Sequence, residues 1–274
     1  MRQNIKSVML MSNMMDKKTE PILEVSGLDI SRGSEVIVRD ANFTINSGEY
    51  VGIIGPNGGG KTTLLLGILG TLKPDRGKIK IFGQDQARFR QWSRIAYVSQ
   101  DAVNFDTSFP MTVREMVSLG RVGRSNLGRK LSREDWVAVD EHIRLLGLEE
   151  LADRRVGQLS GGQKQRVFVA KAMVRNPEIL FLDEPIAGVD PETQEAFYKK
   201  LSDLNAAKGI TIIIVSHDLT AVFCRMSKVL CVSRDVHVSE ITEGFEPTEI
   251  LRKAYGEHFH FVYHRHTCEG EFHE

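Results

Sequence analysis

The run Gly55-Pro-Asn-Gly-Gly-Gly-Lys61-Thr62 fits the pattern G-x-x-x-x-G-K-[ST], and its neighbours narrow what the chain can become. An apolar segment, Tyr50 to Ile54, precedes it and reads as a buried strand. A helix from about Lys61 to Leu69, closed by Gly70, follows. Glycines let successive backbone N–H groups turn toward one centre, and a helix N-terminus adds partial positive charge, so the arrangement suits phosphate. Lys61 is expected to reach the β and γ phosphates of a nucleotide, and Thr62 to ligate Mg²⁺. Gly55, Pro56, Asn57, Gly58, Gly59, Gly60 and Thr63 complete the expected cradle.

Ile179 to Leu182 is a second apolar run, delivering Asp183 and Glu184 at its end. Asp183 suits Mg²⁺, and Glu184 suits polarising an attacking water. Leu159-Ser-Gly-Gly-Gln163 is another glycine-rich helix start, running on through Val167, Ala170 and Val174. One nucleotide has no use for two such helix ends from one domain, so this end is assigned to the nucleotide of a second copy of the chain.

Around these motifs, short β-prone runs at Ile22 to Ile30, Val36 to Val38 and Phe43 to Ile45, broken by Gly33, Asn46 and Gly48, predict a small antiparallel sheet. From Phe105 to about Lys171 the pattern is helical, with Ser132 and Asp135 spaced as a capping box ahead of Val139, Ile143 and Leu146. Strand and helix alternation resumes after Pro177, with a helix from Pro191 to Lys208 stopped by Gly209 and a strand from Ile210 to Val215. The organisation read here is a flexible tail over 1–21, a nucleotide-binding domain over 22–241 with a helical insertion at about 105–171, and an extension over 242–274.

Charge and cysteine usage exclude other classes. Lys plus Arg and Asp plus Glu each number 36, so the chain lacks the basic excess that nucleic-acid binding by counterion release needs. Three cysteines without CxxC spacing point to a reducing compartment rather than a disulfide framework. The apolar runs fall far short of the ~20 residues that cross a bilayer, so any membrane role is read as peripheral.

Taken together, Gly55 to Thr62, Gln100, Leu159 to Gln163, Asp183-Glu184, Gly188-Val189-Asp190 and His217 resemble, in order and spacing, the ATPase subunit of an ABC transporter. The resemblance covers about Ile22 to Ile241 and implies an α/β fold, a P-loop NTPase of ABC type. That fold has a RecA-like core, a small antiparallel β subdomain and an inserted helical subdomain. It also implies a homodimer in which ATP and Mg²⁺ lie between the phosphate loop of one copy and Ser160, Gly161, Gly162 and Gln163 of the other. Gln100 would then sense Mg²⁺ and the water, His217 would hold the γ-phosphate, and Asp190 would belong to the loop linking the two sites. Asp190 before Pro191 also fits a helix N-cap, and His217 also fits a loop histidine. The family usually stacks an aromatic residue on adenine. This chain offers Ser31 or Arg32 at that spacing, and the Arg32 guanidinium is the stacking candidate.

The same resemblance implies integral membrane permease subunits as partners and an extracytoplasmic metal-binding protein indirectly. It places the chain on the cytoplasmic face of the membrane. Phe105, Phe109, Pro110 and Met111 read either as the surface receiving the permease or as ordinary packing. The wording of Gly55 to Thr63, Phe109 to Val113 and Leu182 to Asp190 is similar to the zinc and manganese branch of ABC importers. Five of the eight histidines lie in the last 17 residues. In an extended segment His258, His260, His264, His266 and Cys268 share one face, a donor set suited to Zn²⁺. The alternative is a solvated histidine-rich tail. The reading is Zn²⁺ uptake, with Mn²⁺ or Fe²⁺ next; an iron chelate, haem or lipid cargo is the alternative, and a soluble non-transport ATPase the third.

Overall fold

The computed structural model describes residues 20–103, 110–123, 126–186, 189–242 and 245–256. The strands are β1 (Pro21–Arg32), β2 (Glu35–Asn46), β3 (Tyr50–Ile54), β4 (Arg76–Ile81), β5 (Gln84–Asp85), β6 (Ile95–Val98), β7 (Ile179–Asp183), β8 (Thr211–Val215), β9 (Lys228–Ser233) and β10 (Asp235–Glu240). The helices are α1 (Lys61–Ile68), α2 (Val113–Ser118), α3 (Arg133–Leu145), α4 (Gly161–Met173), α5 (Pro191–Lys208), α6 (Leu219–Arg225) and α7 (Thr248–Tyr255). The described residues fall into two compact units, one within Met1–Arg90 and Val215–Glu274, the other within Gln91–Ile214.

In the first unit β2, β1, β4 and β5 form an antiparallel sheet in that order. The runs read separately at Val36 to Val38 and Phe43 to Ile45 are one strand, because Asp40 absorbs an irregularity at φ 42 and its amide bonds the Asp29 carboxylate at 2.7 Å. Strand β3 pairs in parallel with β9, Ile54 opposite Cys231, and β10 returns antiparallel to β9. All five residues of β3 are buried, as expected of a parallel strand covered on both faces. At the start of β9 the ammonium of Lys228 is buried, and it meets both carboxylate oxygens of Glu49 at 2.8 and 2.9 Å, Glu240 at 3.1 Å and the Thr44 carbonyl at 2.9 Å. Four oxygen partners make that burial tolerable.

In the second unit β6 and β7 pair in parallel, and β7 and β8 are buried along their whole length. The helices follow their end signals. Capping boxes start α2 (Thr112 with Glu115), α3 (Ser132 with Asp135) and α4 (Ser160 with Gln163). Asp190 caps α5 with Pro191 in its first turn, and Gly209, at φ 63, ends it. The stretch read as helical from Phe105 has its first described α-helix at Val113, and the last helix of that stretch runs past Lys171 to Met173. Among the described residues no helix is long and apolar enough to cross a membrane.

Candidate nucleotide site

The phosphate loop belongs to the first unit. Strand β3 ends at Ile54, and the chain turns sharply at Gly55, where φ is 145 and a Cβ would collide with the Val232 carbonyl oxygen of β9. Pro56 is half-buried, Asn57 and Gly58 form an exposed crest, and Gly59 and Gly60 return the chain to the buried start of α1. Gly60 sits at φ 103, where a Cβ would press on the Ile37 carbonyl at 2.9 Å, so β2 borders the end of the loop. Lys61 is buried, and its ammonium donates to the carbonyls of Gly55 at 2.9 Å and Pro56 at 3.0 Å. Thr62 is half-buried and Thr63 buried. Lys61 thus carries a positive charge into a loop whose crest, Asn57 and Gly58, is exposed.

Two residues that sequence reasoning missed brace this loop. The Arg234 amide donates to the Gly59 carbonyl at 3.1 Å, while its guanidinium pairs with Glu35 at 2.7 Å. Tyr255 of α7 accepts a hydrogen bond from the Gly55 amide at 3.1 Å. In β9, opposite Ile54, burial pushes the Cys231 thiol up to about 12, against the opposing pull of Lys61, so it stays protonated. No local signal announces these contacts, which join positions far apart in sequence. Also in the first unit, His217 is exposed just after β8, and Arg32 is exposed at the end of β1, paired across the hairpin with Glu35.

The carboxylates belong to the second unit. Asp183 ends β7 fully buried, and Glu184 follows at φ 46, a left-handed conformation unusual for a residue with a side chain. That bend frees Glu184 from the strand, and its Oε2 accepts from the Gln100 side-chain amide at 2.9 Å. The two residues expected to manage the attacking water are therefore brought together. Tyr97 of β6 was also missed. Its hydroxyl lies 3.5 Å from Asp183 Oδ2, and burial, with the Asp183 charge added, pushes it up to about 12, so it faces the carboxylate as a neutral group. Oxygen donors such as Asp183 and the Thr62 hydroxyl match the hard-ligand chemistry of Mg²⁺.

At the start of α4, Ser160 and Gly161 are exposed. The Ser160 hydroxyl accepts from the Gln163 amide at 3.3 Å, and the Gln163 side-chain oxygen accepts from the Ser160 amide at 3.0 Å. Gly162 is buried where a Cβ would collide with the Thr193 methyl. Asp190 accepts from the Thr193 amide at 2.9 Å, which holds its carboxyl below the usual range. The N-cap reading of Asp190 therefore stands. Phe105, Phe109, Gly188, His258, His260, His264, His266 and Cys268 lie outside the described residues, while Pro110 is exposed and Met111 half-buried. Among the described residues no group of three or more His, Cys, Asp or Glu side chains could hold a metal ion.

The model of the family described as ABC transporter matches residues 38–187. The chain belongs to this family. Among its ABC relatives, the zinc uptake system ATP-binding protein ZurA of Listeria innocua is 40% identical over 215 residues, covering 78% of this chain and 84% of that protein. The manganese transport system ATP-binding protein MntB of Bacillus subtilis is 34% identical over 252 residues, covering 90% and 98%. Among solved structures, cbiO1 of Clostridium perfringens, part of the ABC transporter complex cbiONQ, superposes with a TM-score of 0.74 at 31% identity, covering 87% of this chain and 96% of that one. The α/β P-loop fold expected of an ABC ATPase is thus the fold observed.

Proposed function

We propose that the chain is the ATP-binding subunit of an ABC-type metal-ion importer, working as a homodimer at the cytoplasmic face of the cell membrane beneath a separate permease. Zn²⁺ is the cargo, with Mn²⁺ next. The observation that carries this reading is the likeness, over most of the chain, to ATP-binding proteins named for zinc uptake and manganese transport. An extracytoplasmic metal-binding protein delivers the ion to the permease, and the chain itself never touches it outside the cell.

The site residues divide the work. Backbone N–H groups within the loop Gly55 to Gly60, Pro56 having none, bind the phosphates, Lys61 balances their charge, and Arg32 stacks on the base. Thr62 and Asp183 would be the ligands of Mg²⁺, which Gln100 would sense, and the ion would supply neutralisation of phosphate charge. Glu184 takes a proton from water as the water oxygen bonds to the γ-phosphorus and the bridging bond to ADP breaks, yielding ADP and phosphate. The Gln100 hydrogen bond supports this role by holding the Glu184 carboxylate in one orientation. Two copies pair head to tail, so Ser160, Gly161, Gly162 and Gln163 of one close over the nucleotide of the other; the exposed start of α4 supports that assignment. His217 holds the γ-phosphate, and Asp190 links the two sites. The strip formed by His258, His260, His264, His266 and Cys268 is proposed as a Zn²⁺ sensing or handover site.

Total zinc, manganese and iron in cells lacking the chain, grown with limiting metal, test the cargo. Zinc should fall selectively and recover with the wild-type chain but not with Glu184→Gln. A fall confined to manganese or iron reassigns the cargo, and unchanged metals contradict metal import.

A further inference from the structure

The phosphate loop is held at its entry by a residue from the far end of the described chain. Helix α7 packs on β9 and β10, anchored by the buried side chains of Ile250 and Leu251. One turn beyond Leu251, on the same face of the helix, Tyr255 projects to the loop, and its phenol oxygen accepts the Gly55 amide at 3.1 Å. Gly55 is where the loop departs from β3. Its φ of 145 and its close approach to the Val232 carbonyl leave no side chain to steady it. At this junction the amide has left the β3–β9 ladder, whose register stops at Ile54 opposite Cys231. A hydrogen bond from outside the sheet therefore decides how the peptide at the loop entry is turned. The neighbouring carbonyl, that of Gly55 itself, receives the Lys61 ammonium at 2.9 Å, so rotation at this residue also moves the charge meant for phosphate. The acceptor is neutral, because burial raises the Tyr255 phenol above its ordinary range. Helix α7 lies outside residues 38–187, the stretch matched by the family.

We infer that Tyr255 is a positioning residue for nucleotide binding: by fixing the Gly55 amide it sets the loop entry and the placement of Lys61, making ATP affinity depend on α7. This rests on the reading of Gly55 to Thr63 as an ATP site.

The test is Tyr255→Phe in the full-length chain, which removes one oxygen and keeps the ring that packs α7. Losing one hydrogen bond of ordinary strength should weaken MgATP binding by about two- to tenfold. Turnover at saturating MgATP should stay within about twofold, the melting temperature of the nucleotide-free protein should fall by no more than a few degrees, and hydrogen exchange at Gly55 should quicken. Affinity equal to wild type overturns the inference. So does a large fall in melting temperature with unchanged affinity, because Tyr255 would then serve only to pack the helix. If the wild-type chain itself fails to bind MgATP, the nucleotide-site reading falls and takes this one with it; normal wild-type binding with an unaltered variant removes this inference alone.

Discussion

Replacing Glu184 by Gln should slow ATP hydrolysis by about 10²- to 10⁴-fold while MgATP still binds, because general-base catalysis is lost and little else changes. Gln has the shape of Glu and meets the left-handed backbone at φ 46 on the same terms, so the local fold should survive. Its amide cannot accept the proton of the attacking water. The partner at this position, the Gln100 amide 2.9 Å from Oε2, can still donate to the oxygen of the new amide. The substituted chain should therefore hold ATP unspent and accumulate as a closed dimer. Single-turnover hydrolysis and size-exclusion chromatography with MgATP read both consequences. Turnover at the wild-type rate would remove Glu184 from its role, and loss of nucleotide binding would assign it to structure instead.

Lys61→Ala should lower MgATP affinity by about 10- to 150-fold, the range expected when a hydrogen-bonding charge is removed from a site built around it. The ammonium is buried and directed into the loop, on the carbonyls of Gly55 and Pro56. Alanine leaves those carbonyls without their cation and presents no positive charge to the β and γ phosphates. Calorimetric titration with a slowly hydrolysed ATP analogue measures the loss. Unchanged affinity would contradict the phosphate-loop assignment.

How far these residues could be read from sequence depended on how local their signals are. Helix α5 was legible to the residue, since Asp190-Pro191 opens it and Gly209 closes it through backbone geometry that nearby residues dictate. Strands β3, β7 and β8 were legible as short apolar runs between turn signals, and the two loops followed from their glycines. Strand β4 was missed because arginine and lysine occupy half its positions and only Ile79 and Ile81 are buried. Lys228 would be read as exposed from its type alone, and only Glu49, Glu240 and Thr44 explain its burial. The same limit hid the braces of the phosphate loop. Tyr255 lies 200 positions from Gly55 and Arg234 far from Gly59, and no periodicity or cap signal joins them. The bond between Gln100 and Glu184 spans 84 positions and was expected only through the family resemblance.

Coupling of ATP to metal movement is the central claim, and zinc uptake into right-side-out membrane vesicles containing the chain measures it directly. Vesicles loaded with MgATP should accumulate radioactive zinc, whereas vesicles loaded with MgADP, or carrying Glu184→Gln, should not. Zinc entry at the same rate in all three would show that this chain does not drive metal uptake.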